Sequence, residues 1–263
     1  MRTFKLTLSY DGSNYAGWQL QPHKPTIQAA VEAALTKITG ETIRVAASGR
    51  TDAGVHALAQ VASFTSLTQL SPATLRNALN AEMPRDIAAL DVAEAPAGFH
   101  ARRDCIRKRY RYLIHDGEAP DVFGRKYAWH YREPLDADAM SRAAQAFVGT
   151  HDFRSFEYRS PQRASSVRTI YEADARRVAG PFGAARDDGL DGIAFEVCGN
   201  GFLYNMVRAM VGTLVEVGRG MKSEKWPAEV IIAGDRRLAG MTAPPQGLFL
   251  VRVDYRRAPN DGG

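Results

Sequence analysis

The stretch SGRTDAGVH, residues 48–56, sets one carboxylate, Asp52, between Gly49 and Gly54, with segments that read as strands on either side, around Ile43 and Val45 and from Gln60 to Phe64. Glycine reaches backbone conformations closed to other residues, so this frame predicts a tight turn holding Asp52 at a fixed height above a cleft. Arg50, two residues upstream, offers a bidentate donor beside it. The same residues also fit a plain Asx turn, in which Asp52 caps its own backbone and Arg50 faces solvent.

Upstream of this turn, Phe4, Leu6, Leu8 and Tyr10 alternate with Lys5, Thr7 and Ser9, the period of a half-buried strand that Asp11-Gly12-Ser13-Asn14 stops. Thr26 is placed to cap a helix with Ile27, Val31, Ala34 or Leu35, and Ile38 on one face, ending at Gly40. Downstream, Ser71-Pro72 opens a short helix to Leu79, and Ile87–Val92 reads as a strand. A second series follows. Residues 105–115, CIRKRYRYLIH, end in an alternating strand, and Asp136 is placed to cap a helix with Leu135, Met140, Ala143 or Ala144, and Phe147 apolar. Val167–Val178 and Ile193–Val197 read as strands. Phe202–Val217 reads as the strongest helix, with Leu203, Val207, Met210, Val211 and Leu214 on one stripe. Ser223 is placed to cap a further helix through Ile232, and Gly247–Tyr255 closes the chain as a strand. Residues 116–126 and 153–166 read as loops, 180–191 as a turn region, and 256–263 as a flexible tail.

Strand, helix, strand pair, helix, strand thus occurs twice, which predicts an α+β protein of two halves with sheets covered by helices on one face. The N-terminal half, with the Asp52 loop, is expected over residues 1–104, and the C-terminal half, with the basic tyrosine strand and the Phe202–Val217 helix, over 105–255.

The 263 residues are 45% hydrophobic and 24% charged, a globular balance that excludes collagen-like and disordered chains. The formal net charge of +5 permits a polyanionic partner without demanding one. RTFKLTLSY has no secretory pattern, and the apolar-rich stretch 202–217 is broken by Asn205, Arg208 and Glu216, too short and too polar to span a bilayer. Cys105 and Cys198 have no metal or redox spacing, which fits reduced thiols in the cytoplasm. The histidines show no metal-site spacing, and GxGxxG and GxxxxGK[ST] are absent, so neither a metal nor a cofactor is expected.

One carboxylate without a partner acid is suited to nucleophilic attack, provided that a cation keeps it charged. Arg208, on an otherwise apolar helix, is a candidate for that cation; it also fits a structural pair or a position in solvent beside Asn205. Residues 102–111 hold five arginines and one lysine interleaved with Tyr110 and Tyr112. In a strand the tyrosines share one face and Arg109 and Arg111 the other, so bases can stack on one side while phosphates bind the other. A solvated basic strand with tyrosines in a core fits equally.

YDGSNYAGWQLQP (10–22), GRTDAGVHALAQVASF (49–64), NALN (77–80), FHAR (99–102), KRYRYLI (108–114), NGFLYNMVRAMVGTLVEVG (200–218) and GLFLVRVDY (247–255) together resemble one family. It is that of the bacterial tRNA pseudouridine synthases acting at positions 38, 39 and 40 of the anticodon stem-loop. The resemblance runs along nearly the whole chain. It implies the pseudouridine synthase fold, with two similar halves of mostly antiparallel or mixed sheet around a central cleft, and a homodimer that binds tRNA and no membrane. It further implies that Asp52 is the catalytic aspartate, that Tyr110 stacks on the target uracil, that Arg208 pairs with Asp52 and that Arg50 guides the flipped nucleotide or its phosphate. A synthase with another uridine-site specificity and a non-catalytic RNA-binding module are the alternatives.

Overall fold

The computed structural model describes residues 1–158, 165–179 and 192–256. The chain runs β1 (Arg2–Tyr10), α1 (Ile27–Thr39), β2 (Ala46–Ala47), β3 (His56–Ser66), α2 (Pro72–Glu82) and β4 (Ile87–Ala95). It continues β5 (Cys105–Asp116), β6 (Trp129–Tyr131), α3 (Ala137–Ala144), β7 (Gly149–Asp152), β8 (Val167–Val178), β9 (Gly192–Gly199), α4 (Met206–Gly218), α5 (Trp226–Ala233) and β10 (Leu248–Tyr255). The architecture is α+β. The order strand, helix, strand pair, helix, strand is met twice along the chain, as β1, α1, β2 with β3, α2, β4 and as β5, α3, β8 with β9, α4, β10. Two compact units result: Met1–Lys108 with the chain from Phe249 onward, and Arg109–Leu248.

In the first unit the strands lie in the order β4-β1-β3-β10, with β2 paired to β3. β1 is antiparallel to both neighbours, setting Leu6 opposite Ala62 and Val92, while β10 joins β3 in parallel through Phe249 opposite His56. Alternation buries Phe4, Leu6 and Leu8 of β1 completely; Ile27, Val31 and Leu35 of α1 and Leu75 and Leu79 of α2 are buried as well. Each such side chain removed from water stabilises the fold by about 1.5–3 kcal/mol. The Thr26 hydroxyl accepts from Ala29 N at 3.3 Å, and Gly40 ends α1 in the left-handed region at φ 73°. α2 runs past Leu79 to Glu82 and stops at Met83, which is extended because Pro84 follows it. Ile43 and Val45 are buried but do not form the expected strand. Val45 N donates to Glu32 Oε1 of α1 at 3.1 Å, so its backbone is satisfied by a helix carboxylate and only Ala46–Ala47 pair with β3.

The second unit carries the order β5-β9-β8-β7, with β6 parallel to β5. β8 and β9 are antiparallel and set Ala173 opposite Val197. Tyr110, Tyr112, Ile114 and Asp116 of β5 are buried and alternate with Arg111, Leu113 and His115, which are partly exposed. Asp136 Oδ1 accepts from Ala139 N at 2.9 Å and caps α3. β6 and β7 are too short for a period of two to show in the sequence. Within the expected loop at 153–166, Arg154–Phe156 form a 3-10 turn that buries Phe153 and Phe156. α4 begins at Met206 and not at Phe202, because Asn205 turns the backbone into the left-handed region at φ 60°. α5 begins at Trp226, whose N–H meets the Ser223 carbonyl at 3.0 Å, so Ser223 is not its cap. The expected turn region at 180–191 and the tail from residue 257 lie outside the described residues.

Candidate active site

Asp52 is half-buried on the loop between β2 and β3, and Arg50 on the same loop is exposed. Backbone bonds hold the loop on several sides. Val55 N closes the turn on the Asp52 carbonyl at 3.1 Å, and Trp18 N donates to the Thr51 carbonyl at 3.0 Å. Gly54 N donates to the Tyr15 carbonyl at 3.4 Å, and Tyr10 OH and Thr51 Oγ1 lie 2.8 Å apart. Gln60 Nε2 donates to the Gly49 carbonyl at 2.9 Å. Burial pushes the Tyr10 phenol up to about 12, with its bonds to Thr51 and Gln60 opposing, so it stays protonated.

The glycines that matter most come from the neighbouring loop. A Cβ on Gly12 would stand 2.0 Å from the Val55 carbonyl oxygen, and one on Gly17, at φ 96°, 2.6 Å from that of Thr51. Of the two framing glycines, Gly54 has φ 75°; Gly49 serves close approach, because the Lys108 side chain lies along it with Nζ 3.2 Å from where a Cβ would be. His56 ends the loop, stacked on Phe249 with centroids 4.8 Å apart and with Nδ1 accepting from Gly12 N at 3.1 Å.

Tyr110 and Arg208 belong to the second unit. The Tyr110 ring is 7% exposed and meets Phe202 edge-on, with centroids 5.0 Å apart. Tyr112, two residues along the same face, is fully buried and donates to the Pro244 carbonyl at 2.7 Å. Burial holds its phenol well above the usual value, against the pull of the Arg208 charge. Arg208 lies in the first turn of α4, where Nε donates to the Ala243 carbonyl at 2.6 Å and Nη1 to Asn205 Oδ1 at 2.9 Å. The guanidinium is therefore gripped beside Asn205 and does not simply face solvent there.

On the other face of β5, Arg109 reaches Glu172 at 2.6 Å, and Arg111 and Arg176 reach Glu196 at 2.6 and 3.1 Å. These arginines are tied to acids on β8 and β9, which the sequence reading did not anticipate. Burial works against the Glu196 charge, but Arg111 and Arg176 hold its carboxyl below the usual range. Among the described residues no group of three His, Cys, Asp or Glu side chains is placed to hold a metal ion.

The family profile described as "tRNA pseudouridine synthase" matches residues 7–104 and 143–256, a span that takes in the Asp52 loop and α4. The chain belongs to this tRNA pseudouridine synthase family. Family members named "tRNA pseudouridine synthase A" align with almost all of it. That of Moorella thermoacetica is 49% identical over 97% of this chain and 100% of its own length. That of Geobacillus sp. is 48% identical over 97% and 98%, and that of Geotalea uraniireducens 42% identical over 97% and 100%. A solved chain titled "Crystal Structure of a Cbf5-Nop10-Gar1 Complex" aligns with 94% of this chain and 57% of its own at 15% identity and a TM-score of 0.33, too slight a likeness to bear on the fold.

For a tRNA pseudouridine synthase, the reading of single residues overlooked the parts that hold its candidate side chains. Gly12 and Gly17 support the Asp52 loop, Phe202 meets Tyr110, and Asn205 with Ala243 grips Arg208. Asn205 carried a signal, because asparagine adopts the left-handed conformation more readily than most other non-glycine residues. A backbone carbonyl such as that of Ala243 carries none.

Proposed function

We propose that the chain isomerises uridine to pseudouridine at positions 38, 39 and 40 of tRNA, as a cytoplasmic homodimer working without a cofactor. The bond between ribose C1′ and uracil N1 breaks, the base turns, and C1′ joins C5; the C5 proton leaves and N1 gains one. No atom is gained or lost. A stacked uridine must first be turned out of the anticodon arm at a cost of a few kcal/mol, offset by phosphate contacts. Asp52 is the essential carboxylate, whether it attacks C1′ or C6 or removes a ribose proton to give a glycal. Arg208 is the cation that keeps it charged. Tyr110 is the platform that keeps the detached base in place, and Arg50, exposed on the Asp52 loop, guides the flipped nucleotide.

The observation that carries this reading is the Asp52 loop, one carboxylate on a backbone braced by Trp18, Tyr15 and Tyr10. Such bracing preorganises a reacting group. The test is incubation of the purified chain with unmodified tRNA carrying uridines at 38, 39 and 40, followed by mapping at nucleotide resolution. Pseudouridine at those positions is the expected result. Conversion at other uridines would replace the site specificity, and no conversion would defeat the reading.

A further inference from the structure

Arg208 is aimed by a neighbouring segment of the chain. Its Nε donates to the Ala243 carbonyl at 2.6 Å, and Ala243 N donates back to the Arg208 carbonyl at 3.1 Å. Ala243 belongs to a strap, residues 240–244, that meets α4 backbone to backbone. A Cβ on Gly212 would stand 1.8 Å from the Met241 carbonyl oxygen, and one on Gly240 2.4 Å from the carbonyl carbon of Gly212. Thr213 Oγ1 accepts from Gly240 N at 2.9 Å. At the far end of the strap, the Pro244 carbonyl accepts from Tyr112 OH at 2.7 Å. One short segment therefore ties Arg208 of α4 to β5, two residues from Tyr110.

Arg236 holds that segment. Its Nη1 donates to the Gly240 carbonyl at 2.9 Å and its Nη2 to Thr242 Oγ1 at 2.8 Å. Its Nε is buried with no hydrogen-bond partner among the described residues, and burial draws its pKa down. Both acceptors are neutral. A half-buried guanidinium set on neutral acceptors, with one buried N–H unsatisfied, is a poor device for stability alone. It is a good device for geometry, because a planar fork spanning two residues fixes both distance and angle.

We infer that Arg236 is a positioning residue: through Gly240 and Thr242 it sets the strap whose Ala243 carbonyl aims the Arg208 guanidinium. The inference rests on the catalytic role given to Arg208 above. Misplacing a group by about 1 Å costs on the order of a hundredfold in rate, so a loosened strap slows the reaction while leaving RNA affinity in place.

Single-turnover rates on unmodified tRNA and equilibrium affinities for Arg236→Met and Thr242→Val, each alone and combined with Arg208→Lys, test this. Either single variant is expected to lose about tenfold or more in rate, with affinity within about twofold. In the Arg208→Lys background the same changes are expected to cost nothing further, because lysine has no guanidinium Nε for Ala243 to hold. An equal loss in both backgrounds would mark a merely structural role and overturn the inference. Wild-type rates for both single variants, with Arg208→Ala inactive, would also overturn it. A wild-type rate for Arg208→Ala would instead overturn the reading of Arg208 itself. If circular dichroism shows Arg236→Met to be misfolded, Thr242→Val carries the comparison.

Discussion

Replacing Asp52 by asparagine keeps the side chain's size and the Val55-to-Asp52 backbone turn while removing the charge. Asp52→Asn is therefore expected to bind tRNA nearly as tightly as the wild type and to form no pseudouridine; single-turnover product within about tenfold of wild type would refute the assignment. Tyr110 can be divided in the same way. Its ring is set by Phe202, so Tyr110→Phe keeps the platform, whereas Tyr110→Ala loses stacking worth about 1–3 kcal/mol. Affinity and rate measured on both variants check this, and an alanine variant equal to the wild type in both would contradict it. If Phe binds normally but turns over slowly, the hydroxyl takes part in proton transfer at C5.

At the level of elements, β5 is a strand with two different faces. Tyr110, Tyr112 and Ile114 are buried, while Arg109 and Arg111 reach acids on β8 and β9. Glu196 is where this network is sensitive to acid. Its folded-state pKa lies below its unfolded value, so its contribution is present in full above the ordinary carboxylate range, about 4.3, and fades as pH falls through the lowered folded value. Glu196→Gln is expected to melt below the wild type at neutral pH, by a margin that shrinks under about pH 4. Melting temperatures taken from pH 7 to 3 test this, and a constant margin would show that Glu196 contributes packing only. The alternation of β5 was legible from its sequence, whereas its acidic partners stand far along the chain and became visible only when β8 and β9 were laid beside it.

For the molecule as a whole, a net charge of +5 says little until the charges are placed. Arg102 and Arg103 are exposed, whereas Arg109 and Arg111 are tied to Glu172 and Glu196. Affinity for tRNA is expected to fall with salt at a logarithmic slope of about 0.7–0.9 per neutralised phosphate. Arg102→Ala and Arg103→Ala should each lower the total slope by about one phosphate's share, and Arg109→Ala should barely change it. Salt titrations of binding decide the matter, and a flat response in the wild type would exclude a polyanionic substrate.

Local patterns carried the strand β1, the caps at Thr26, Ser71 and Asp136, the full span of β8 and the position of β9, although β9 is buried on both faces and does not alternate. Each depends on residues within a few positions of one another, which a linear pattern records. Asp52 stood out for the same reason, since its glycine frame is local. The two-residue β2 and the grip of Ala243 on Arg208 depend on partners distant along the chain. Glu32 takes the Val45 N–H and the Ala243 carbonyl takes the Arg208 Nε–H. Backbone donors and acceptors are the same in every residue but proline, so nothing in the order of side chains marks which of them will meet; folding brings them within hydrogen-bond distance, and only then does the partnership exist.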